Sequence, residues 1–315
     1  MCNTFHIPCW SGNGSGTTRN VTHYYKAQCS SNSELIIGGD IMADAKTIGS
    51  HIKRWITAVA VVPLLFAAIY FGSNLVFAII VVVLIAGGIA EFNTMVFAKG
   101  DYLAKGTGLV VGLFVPAAAF FGNGELMYAA MTFGVIIIFL LYLYTIRERS
   151  LDLAVLAKVV FGFIYIPTML SHIILIRASA DGLAWVFFII ILAFSGDVSA
   201  FYIGKTFGTR KLMPTVSAGK TVEGTLGLVA GSVAGCVIFK FLFLQNLTLV
   251  HAVMLGFLGG TLGQLGDLCE STIKRASMVK DSGFLFPGHG GVLDRLDSLI
   301  FIIPFVYYYR LFVVQ

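Results

Sequence analysis

The sequence predicts an all-α, polytopic integral membrane protein, a helical bundle of about nine transmembrane helices. Hydrophobic residues make up 57% of the 315-residue chain, its mean hydropathy is +0.89, and only 12% of its residues are charged. Soluble domains carry about 25% charged residues, so this chain is too poor in charge to cover a water-exposed surface. Long apolar runs, each close to the roughly 20 residues that cross a bilayer as a helix, are separated by short polar loops.

Nine apolar runs follow a polar start. Residues 1–45 are rich in Ser, Thr, Asn and Gly without a sustained period, which predicts a disordered extension, and residues 46–315 are predicted to form the membrane domain. We expect residues 1–41 to be dispensable for activity. Glycines spaced three or four apart in the later runs indicate closely packed helices. The spans are placed at about 55–72, 74–97, 106–122, 126–146, 154–177, 183–203, 224–244, 251–267 and 298–314.

The distribution of basic residues predicts the orientation. Lys and Arg precede the first span and follow the even-numbered spans, whereas the loops after the third, fifth and seventh spans contain almost none. Basic loops stay in the cytoplasm, so both large polar segments are predicted to be cytoplasmic and the C-terminus to lie outside. A bacterial inner membrane fits the length and compactness of the chain, and an organellar membrane remains open.

Two function classes are disfavoured by composition. The net charge of +5 is explained by basic cytoplasmic loops, and the polar loops hold no basic patch interleaved with aromatics, so no nucleic-acid partner is predicted. The five cysteines form no CxxC pair, so neither a zinc site nor a disulfide framework is predicted.

The first polar segment covers residues 195–224. Asp197 lies inside an apolar span, where a carboxylate is costly and needs a partner, although a packing role is the alternative. Further on, Lys220 and Thr221 come where the next helix begins, as at the end of a phosphate-binding loop. The full eight-residue P-loop pattern is missing, so an ATPase is not favoured, and a cluster of positive-inside charges is the alternative.

The second polar segment runs from Ser271 to Asp297, and Asp267 and Glu270 lie just before it at the end of an apolar run. Asp267 and Glu270 are three residues apart, and Lys274 follows four later, so all three are expected on one helix face. Asp294 and Asp297 repeat the three-residue spacing. A few carboxylates beside substrate phosphates are what a Mg²⁺ site requires, and a glycine-rich turn offers backbone N–H groups to an anion. In that turn His289 is either a phosphate contact or an ordinary loop histidine.

These charged positions resemble the signature of the phosphatidate cytidylyltransferases, also called CDP-diacylglycerol synthases. The resemblance rests on Ser271, Lys274-Arg275, Lys280-Asp281 and the run Pro287-Gly288-His289-Gly290-Gly291-x-x-Asp294-Arg295-x-Asp297. Upstream, Asp197, Gly204-Lys205 and residues 217–224 are similar to a second block of the family. That block departs from the family pattern at Val198, at Val222 and at Gly219, where the family has the first of two lysines.

The resemblance covers about the C-terminal 125 residues and implies a catalytic part over about 190–300. It implies transfer of CMP from CTP to phosphatidic acid, giving CDP-diacylglycerol and pyrophosphate. It further implies Mg²⁺ as cofactor, as one or two ions, with a monovalent cation left open. The implied partners are CTP, phosphatidic acid and the membrane lipid, and a homodimer is compatible with the family.

The same resemblance implies roles for individual side chains. Asp267 and Asp294 are expected to be the principal metal ligands, and Asp197, Glu270 and Asp297 alternative ones. The catalytic set is Asp267, Asp294, Lys274 and Lys220. Phosphate neutralisation is assigned to Lys220, Lys274, Arg275 and Lys280, with Arg295 joining them or pairing with the aspartates. Hydrogen bonds to substrate are assigned to Ser217, Thr221 and Ser271, and phosphate contacts to His289, Gly290 and Gly291.

Three other functions remain open from the sequence. The first is a CTP-dependent cytidylyltransferase or kinase that acts on another lipid, such as an isoprenoid lipid. An ion- or proton-coupled transporter is the second, but the charges cluster at one membrane face and inverted repeats are not evident. The third is a non-catalytic scaffold.

Overall fold

The computed structural model describes residues 63–122, 124–146, 152–283 and 290–314. Residues 63–71 are helical, and the helices that follow are long and apolar enough to cross a membrane. These eight helices are α1 (Asn74–Val96), α2 (Tyr102–Phe121), α3 (Gly124–Ile146), α4 (Leu153–Ala178), α5 (Gly182–Phe207), α6 (Val222–Phe243), α7 (Leu249–Ala276) and α8 (Leu293–Val314).

The predicted all-α membrane bundle is confirmed, and eight of its nine predicted spans match α1 to α8 closely. The first predicted span, about 55–72, begins outside the described residues. The predicted extension at residues 1–45 lies there too, so the predicted domain division stays a prediction.

Two helices are longer than predicted at the end that carries the polar segments. Helix α7 continues to Ala276, beyond the predicted end near residue 267, and α8 begins at Leu293 instead of near residue 298. Both extensions are polar, so the length of the apolar run underestimates the length of each helix. Contacts between their side chains, described below, hold the two extensions together. Because α7 is continuous here, Asp267, Glu270 and Lys274 lie on one helix.

Helices α5, α6 and α7 pack side by side through small residues, as the glycine spacing predicted. A Cβ at Gly231 of α6 would overlap the Ser199 side chain of α5, and one at Gly256 of α7 would lie 2.6 Å from the Val233 Cα of α6. Close packing of this kind fixes the relative positions of the three helices that carry most of the polar residues.

The bundle core is built from large apolar side chains of α1, α4, α5, α7 and α8, including the fully buried Ile85, Phe163, Phe188, Leu255 and Ile300. Helix α4 contains a π-helical turn at Ile164–Thr168, around Pro167. Helix α8 ends in a second π turn at Arg310–Val314.

A short β-hairpin links α5 to α6 and was not predicted. Strand β1 (Lys211–Met213) pairs antiparallel with β2 (Ser217–Thr221), with Lys211 opposite Thr221. The segment is short and polar and lacks the apolar alternation of a half-buried strand, so the sequence carries little signal for it. The hairpin places Ser217 through Thr221 directly before the start of α6.

Candidate functional site

The predicted side chains gather at one end of the bundle in two neighbouring clusters. The first, which we call the cavity cluster, consists of Asp197, Lys220, Asp267 and Asp297. The second, the loop cluster, consists of Glu270, Lys274 and Asp294 together with Ser282 and Gly291. Helix α7 connects them, because Asp267 and Glu270 are less than one turn apart.

In the cavity cluster, one lysine faces three carboxylates. Lys220 Nζ forms an ion pair with Asp267 Oδ2, and both side chains are less than a third exposed. Asp197 of α5 and Asp297 of α8 interact electrostatically with Asp267 and with Lys220. Carboxyl groups outnumber lysines in this cluster, so it could attract a cation.

A cavity of about 480 Å³ opens beside this cluster. Helices α5, α6 and α7 and strand β2 form its walls. The polar lining carries both signs of charge and consists of Asp197, Lys205, Lys220, Thr221, Thr225, Gln264 and Asp267. Gln264 was not predicted. Its Nε2 is buried without a hydrogen-bond partner in the described part of the chain, so it can donate to an acceptor placed in the cavity.

In the loop cluster, Lys274 bridges two helices. Its ammonium pairs with Glu270, one turn earlier on α7, and lies 2.7 Å from Asp294 Oδ1 on the first turn of α8. Glu270 is fully buried, and Lys274 and Asp294 are each 13% exposed. An ion pair this enclosed is screened little by water, so Lys274 holds the extended ends of α7 and α8 together.

Asp294 is also held by the backbone before it. Its Oδ2 accepts hydrogen bonds from Gly291 N at 2.8 Å and Ser282 N at 3.1 Å. Gly290 adopts a φ of +83°, a left-handed conformation that glycine reaches without strain. The turn before α8 is thus folded back onto the Asp294 carboxylate. This carboxylate lies in the first turn of α8, where the helix dipole favours negative charge.

Hydrogen bonds hold the hairpin and the residues just before it against α6 and α7. Arg275 of α7 donates from Nε to Val216 O at 3.2 Å, and Glu223 of α6 accepts from Thr209 N at 3.1 Å. The Thr221 hydroxyl accepts from Gly224 N at 3.1 Å and caps α6. Ser217 lies half-buried on β2, four residues before this cap.

The other predicted site residues that the structure describes lie at different positions around the two clusters. Ser271 is buried and donates to Asp267 Oδ1 at 3.4 Å. Lys280 and Arg295 are exposed at this end of the bundle. His289 lies outside the described residues. The structure therefore brings most predicted side chains together, with Asp267 in one cluster and Asp294 in the other.

Two further polar side chains escaped the sequence analysis. Glu91 of α1 is 8% exposed and accepts hydrogen bonds from the segment that carries Asp294. Tyr165 lies on the π turn of α4 with a buried hydroxyl, in the neighbourhood of Glu270, Asp297 and Asp267. A lone carboxylate in an apolar run was the signal available for Glu91, because a charge there needs a partner.

Carboxylates of either cluster could supply oxygen ligands to a metal. Within residues 63–122, 124–146, 152–283 and 290–314, no three His, Cys, Asp or Glu side chains form a metal-binding group by themselves. Mg²⁺ takes only one or two carboxylates and completes its shell with water and substrate phosphates. Asp267 with its neighbours Asp197 and Asp297 meets that smaller requirement.

The fold and the two clusters define an integral membrane protein with a charged pocket, suited to anions and cations together, at one end of its helices. The profile of the Cytidylyltransferase family matches residues 52–313, and the chain belongs to that family. The family resemblance drawn from the charged signature is thereby confirmed.

Individual relatives match a shorter region. A phosphatidate cytidylyltransferase of Bacillus subtilis is 39% identical over 146 residues, which cover 46% of this chain and 54% of that protein. One of Haemophilus influenzae is 43% identical over 139 residues, covering 42% and 47%. The uncharacterized protein YnbB of Escherichia coli is 44% identical over 128 residues, covering 41% and 43%. The chain thus matches these curated relatives over about half of their length.

Proposed function

We propose that this protein transfers CMP from CTP to phosphatidic acid, giving CDP-diacylglycerol and pyrophosphate for phospholipid synthesis. One observation carries the proposal: a cavity at the ends of membrane helices is lined by Lys205 and Lys220 beside Asp197 and Asp267. The lysines suit a polyphosphate and the carboxylates a divalent cation. Membership of the Cytidylyltransferase family and the names of the relatives point to the same chemistry.

The reaction needs charge neutralisation more than proton transfer. A phosphate oxygen of phosphatidate forms a bond to the α-phosphorus of CTP while the bond from that phosphorus to the bridging oxygen of pyrophosphate breaks. The attacking oxygen is already ionised, so no general base is required. Both reactants are anionic, so positioning and fixed positive charge lower the barrier, and Lys220 and Lys274 supply that charge.

We assign the Mg²⁺ ligands to Asp267 and Asp294, with Asp197, Glu270 and Asp297 as alternative ligands. Each of the two principal aspartates already holds a lysine ammonium, which supports a cation-binding role for both positions. Bound Mg²⁺ would neutralise the triphosphate and the leaving pyrophosphate, and a second ion would add to that effect. A monovalent cation and a homodimer stay predictions.

The position of the site suits a reaction between a soluble nucleotide and a lipid. Asp197, Asp267 and Asp297 lie on helices that cross the membrane, whereas the hairpin with Lys220 lies between two of those helices. A lipid headgroup can therefore meet CTP at the cavity while its acyl chains remain in the bilayer. We place this end of the bundle on the cytoplasmic side of a bacterial inner membrane, as the basic loops predict.

A CTP-dependent enzyme acting on another lipid is the second candidate. The observation that favours it is Gly219, which stands on β2 beside Lys220, lines the cavity and replaces a family lysine. One fewer cation at the cavity would suit an acceptor that brings less negative charge than phosphatidate.

An acceptor comparison tests the choice between the two candidates. The purified protein in detergent receives CTP labelled in its cytidine or its γ-phosphate, Mg²⁺, and either phosphatidate or an isoprenoid alcohol or phosphate. We expect cytidine label, but no γ-phosphate label, to enter the lipid fraction with phosphatidate. Label entering only the isoprenoid lipid would contradict the proposal, and label in neither lipid would leave the scaffold function.

A further inference from the structure

Glu91 is a carboxylate from α1 that reaches across the bundle into the segment that carries Asp294. It is the only charged residue in the helix Asn74–Val96, and it is 8% exposed. Its oxygens accept hydrogen bonds from Ser282 Oγ, Val292 N and Leu293 N, each at 2.9 Å. These donors lie about 200 residues further along the chain, so the contact is purely tertiary.

Glu91 and Asp294 hold the same two stretches of backbone. Asp294 binds the amides of Ser282 and Gly291, whereas Glu91 binds the Ser282 hydroxyl and the two amides that follow Gly291. The amide of Leu293, which Glu91 fixes, immediately precedes Asp294. Glu91 therefore holds the residues at which α8 begins, immediately before Asp294.

The fit around the Glu91 carboxylate is close on two sides. A Cβ added at Gly283 or at Gly291 would overlap the carboxylate oxygens. Ser282 Oγ, Val292 N and Leu293 N all donate to it, so a carboxylate can satisfy every one of them. A glutamine of the same shape would turn an N–H₂ group toward a donor, leaving two donors facing each other.

We propose that Glu91 is a positioning residue for the reaction: it fixes Ser282 and residues 291–293, and through them it aims Asp294 and the Lys274 ammonium that Asp294 binds. This inference rests on the proposed function and deepens it. It assigns a role at the site to the N-terminal half of the bundle, outside the region of about 190–300 in which the sequence predicted the catalytic part.

The test compares Glu91→Gln with Glu125→Gln, which makes the same change at an exposed position of α3. We expect amide hydrogen exchange in a peptide covering residues 290–298 to rise at least about tenfold in Glu91→Gln, with exchange at residues 219–225 unchanged. We also expect kcat to fall at least about tenfold, because displaced catalytic groups lose rate steeply, while KM for CTP changes much less. Glu125→Gln should match the wild type in both measurements.

Several outcomes would overturn the inference. Unchanged exchange at residues 290–298 would do so, as would faster exchange accompanied by wild-type turnover. Faster exchange throughout the bundle would reduce Glu91 to a general stabilising residue.

If Glu91→Gln does not fold, Ser282→Ala removes one of the three donors with a smaller change, and wild-type kcat in that variant would refute the positioning role. A wild type that releases no pyrophosphate with phosphatidate refutes the proposed function instead, and the exchange comparison still decides whether Glu91 holds residues 290–298.

Discussion

Lys220 and Lys274 each lie close to more than one carboxylate. Lys220 pairs with Asp267 and interacts with Asp197 and Asp297, and Lys274 bridges Glu270 and Asp294. Removing either ammonium leaves partly or fully buried carboxylates without their cation, which is more damaging than losing an exposed charge.

Lys220→Met should lower the rate of pyrophosphate release by about 100-fold or more, because fixed positive charge near the reacting phosphates is lost. Lys220→Arg keeps the charge and should retain more activity than Lys220→Met. The control is Lys211→Met, an exposed position on β1 of the same hairpin. Equal rates for Lys220→Met and Lys211→Met would remove Lys220 from the site.

Gly291→Ala tests the close packing before α8. The added methyl would overlap Ser282 Oγ and Glu91 Oε2, so we expect a loss of about 1–3 kcal/mol in stability and a larger fractional loss of activity. The matched control is Gly106→Ala in α2, where an added Cβ meets nothing within 4 Å. Thermal unfolding and initial rates measure both effects, and a normal Gly291→Ala protein would contradict the packing described here.

The charged motifs could be predicted from the sequence because charge is conspicuous in an apolar chain. The division into two clusters could not, since it depends on how α5, α7 and α8 meet. Gln264 gave no signal, because an amide among small residues is common in packed helices. Glu91 did give one, as a lone carboxylate within a predicted span, but its partners lie about 200 residues away and no local pattern identifies them.

At the scale of elements, the start of α6 determines where Lys220 lies. The Thr221 hydroxyl caps α6, and the hairpin before it is tied to α6 by Glu223 and to α7 by Arg275. The apolar runs predicted the helices well. The helix ends and the hairpin are held by polar contacts such as these, and a hydropathy pattern does not reveal them.

Thr221→Val keeps the shape of the side chain and removes the cap. We expect a loss of about 1 kcal/mol in stability and faster amide exchange at residues 222–224. Thr221→Ser keeps the hydroxyl oxygen and should behave nearly as the wild type. Equal exchange in Thr221→Val and Thr221→Ser would show that the cap does not stabilise the start of α6.

At the scale of the whole molecule, eight described helices are long and apolar enough to cross a membrane, and the polar residues of the site lie at one end of them. The orientation is a prediction from the basic loops, and it fixes which side CTP must come from. In a variant without the five native cysteines, Thr215→Cys in the hairpin should react with a membrane-impermeant maleimide in inside-out vesicles and not in intact cells. A cysteine at Asn246, between α6 and α7, should show the reverse, and the opposite pattern would place the cavity outside.

The most direct measurement of the central claim is pyrophosphate release by the purified protein, given CTP, Mg²⁺ and phosphatidate together and with each omitted in turn. The account predicts release only with all three, and a fall of about 100-fold or more in Asp267→Asn and Asp294→Asn, because both lose metal-binding charge. Asp101→Asn, just before α2, is the control and should keep the wild-type rate. Release without phosphatidate, or near-normal release from both aspartate variants, would contradict the account.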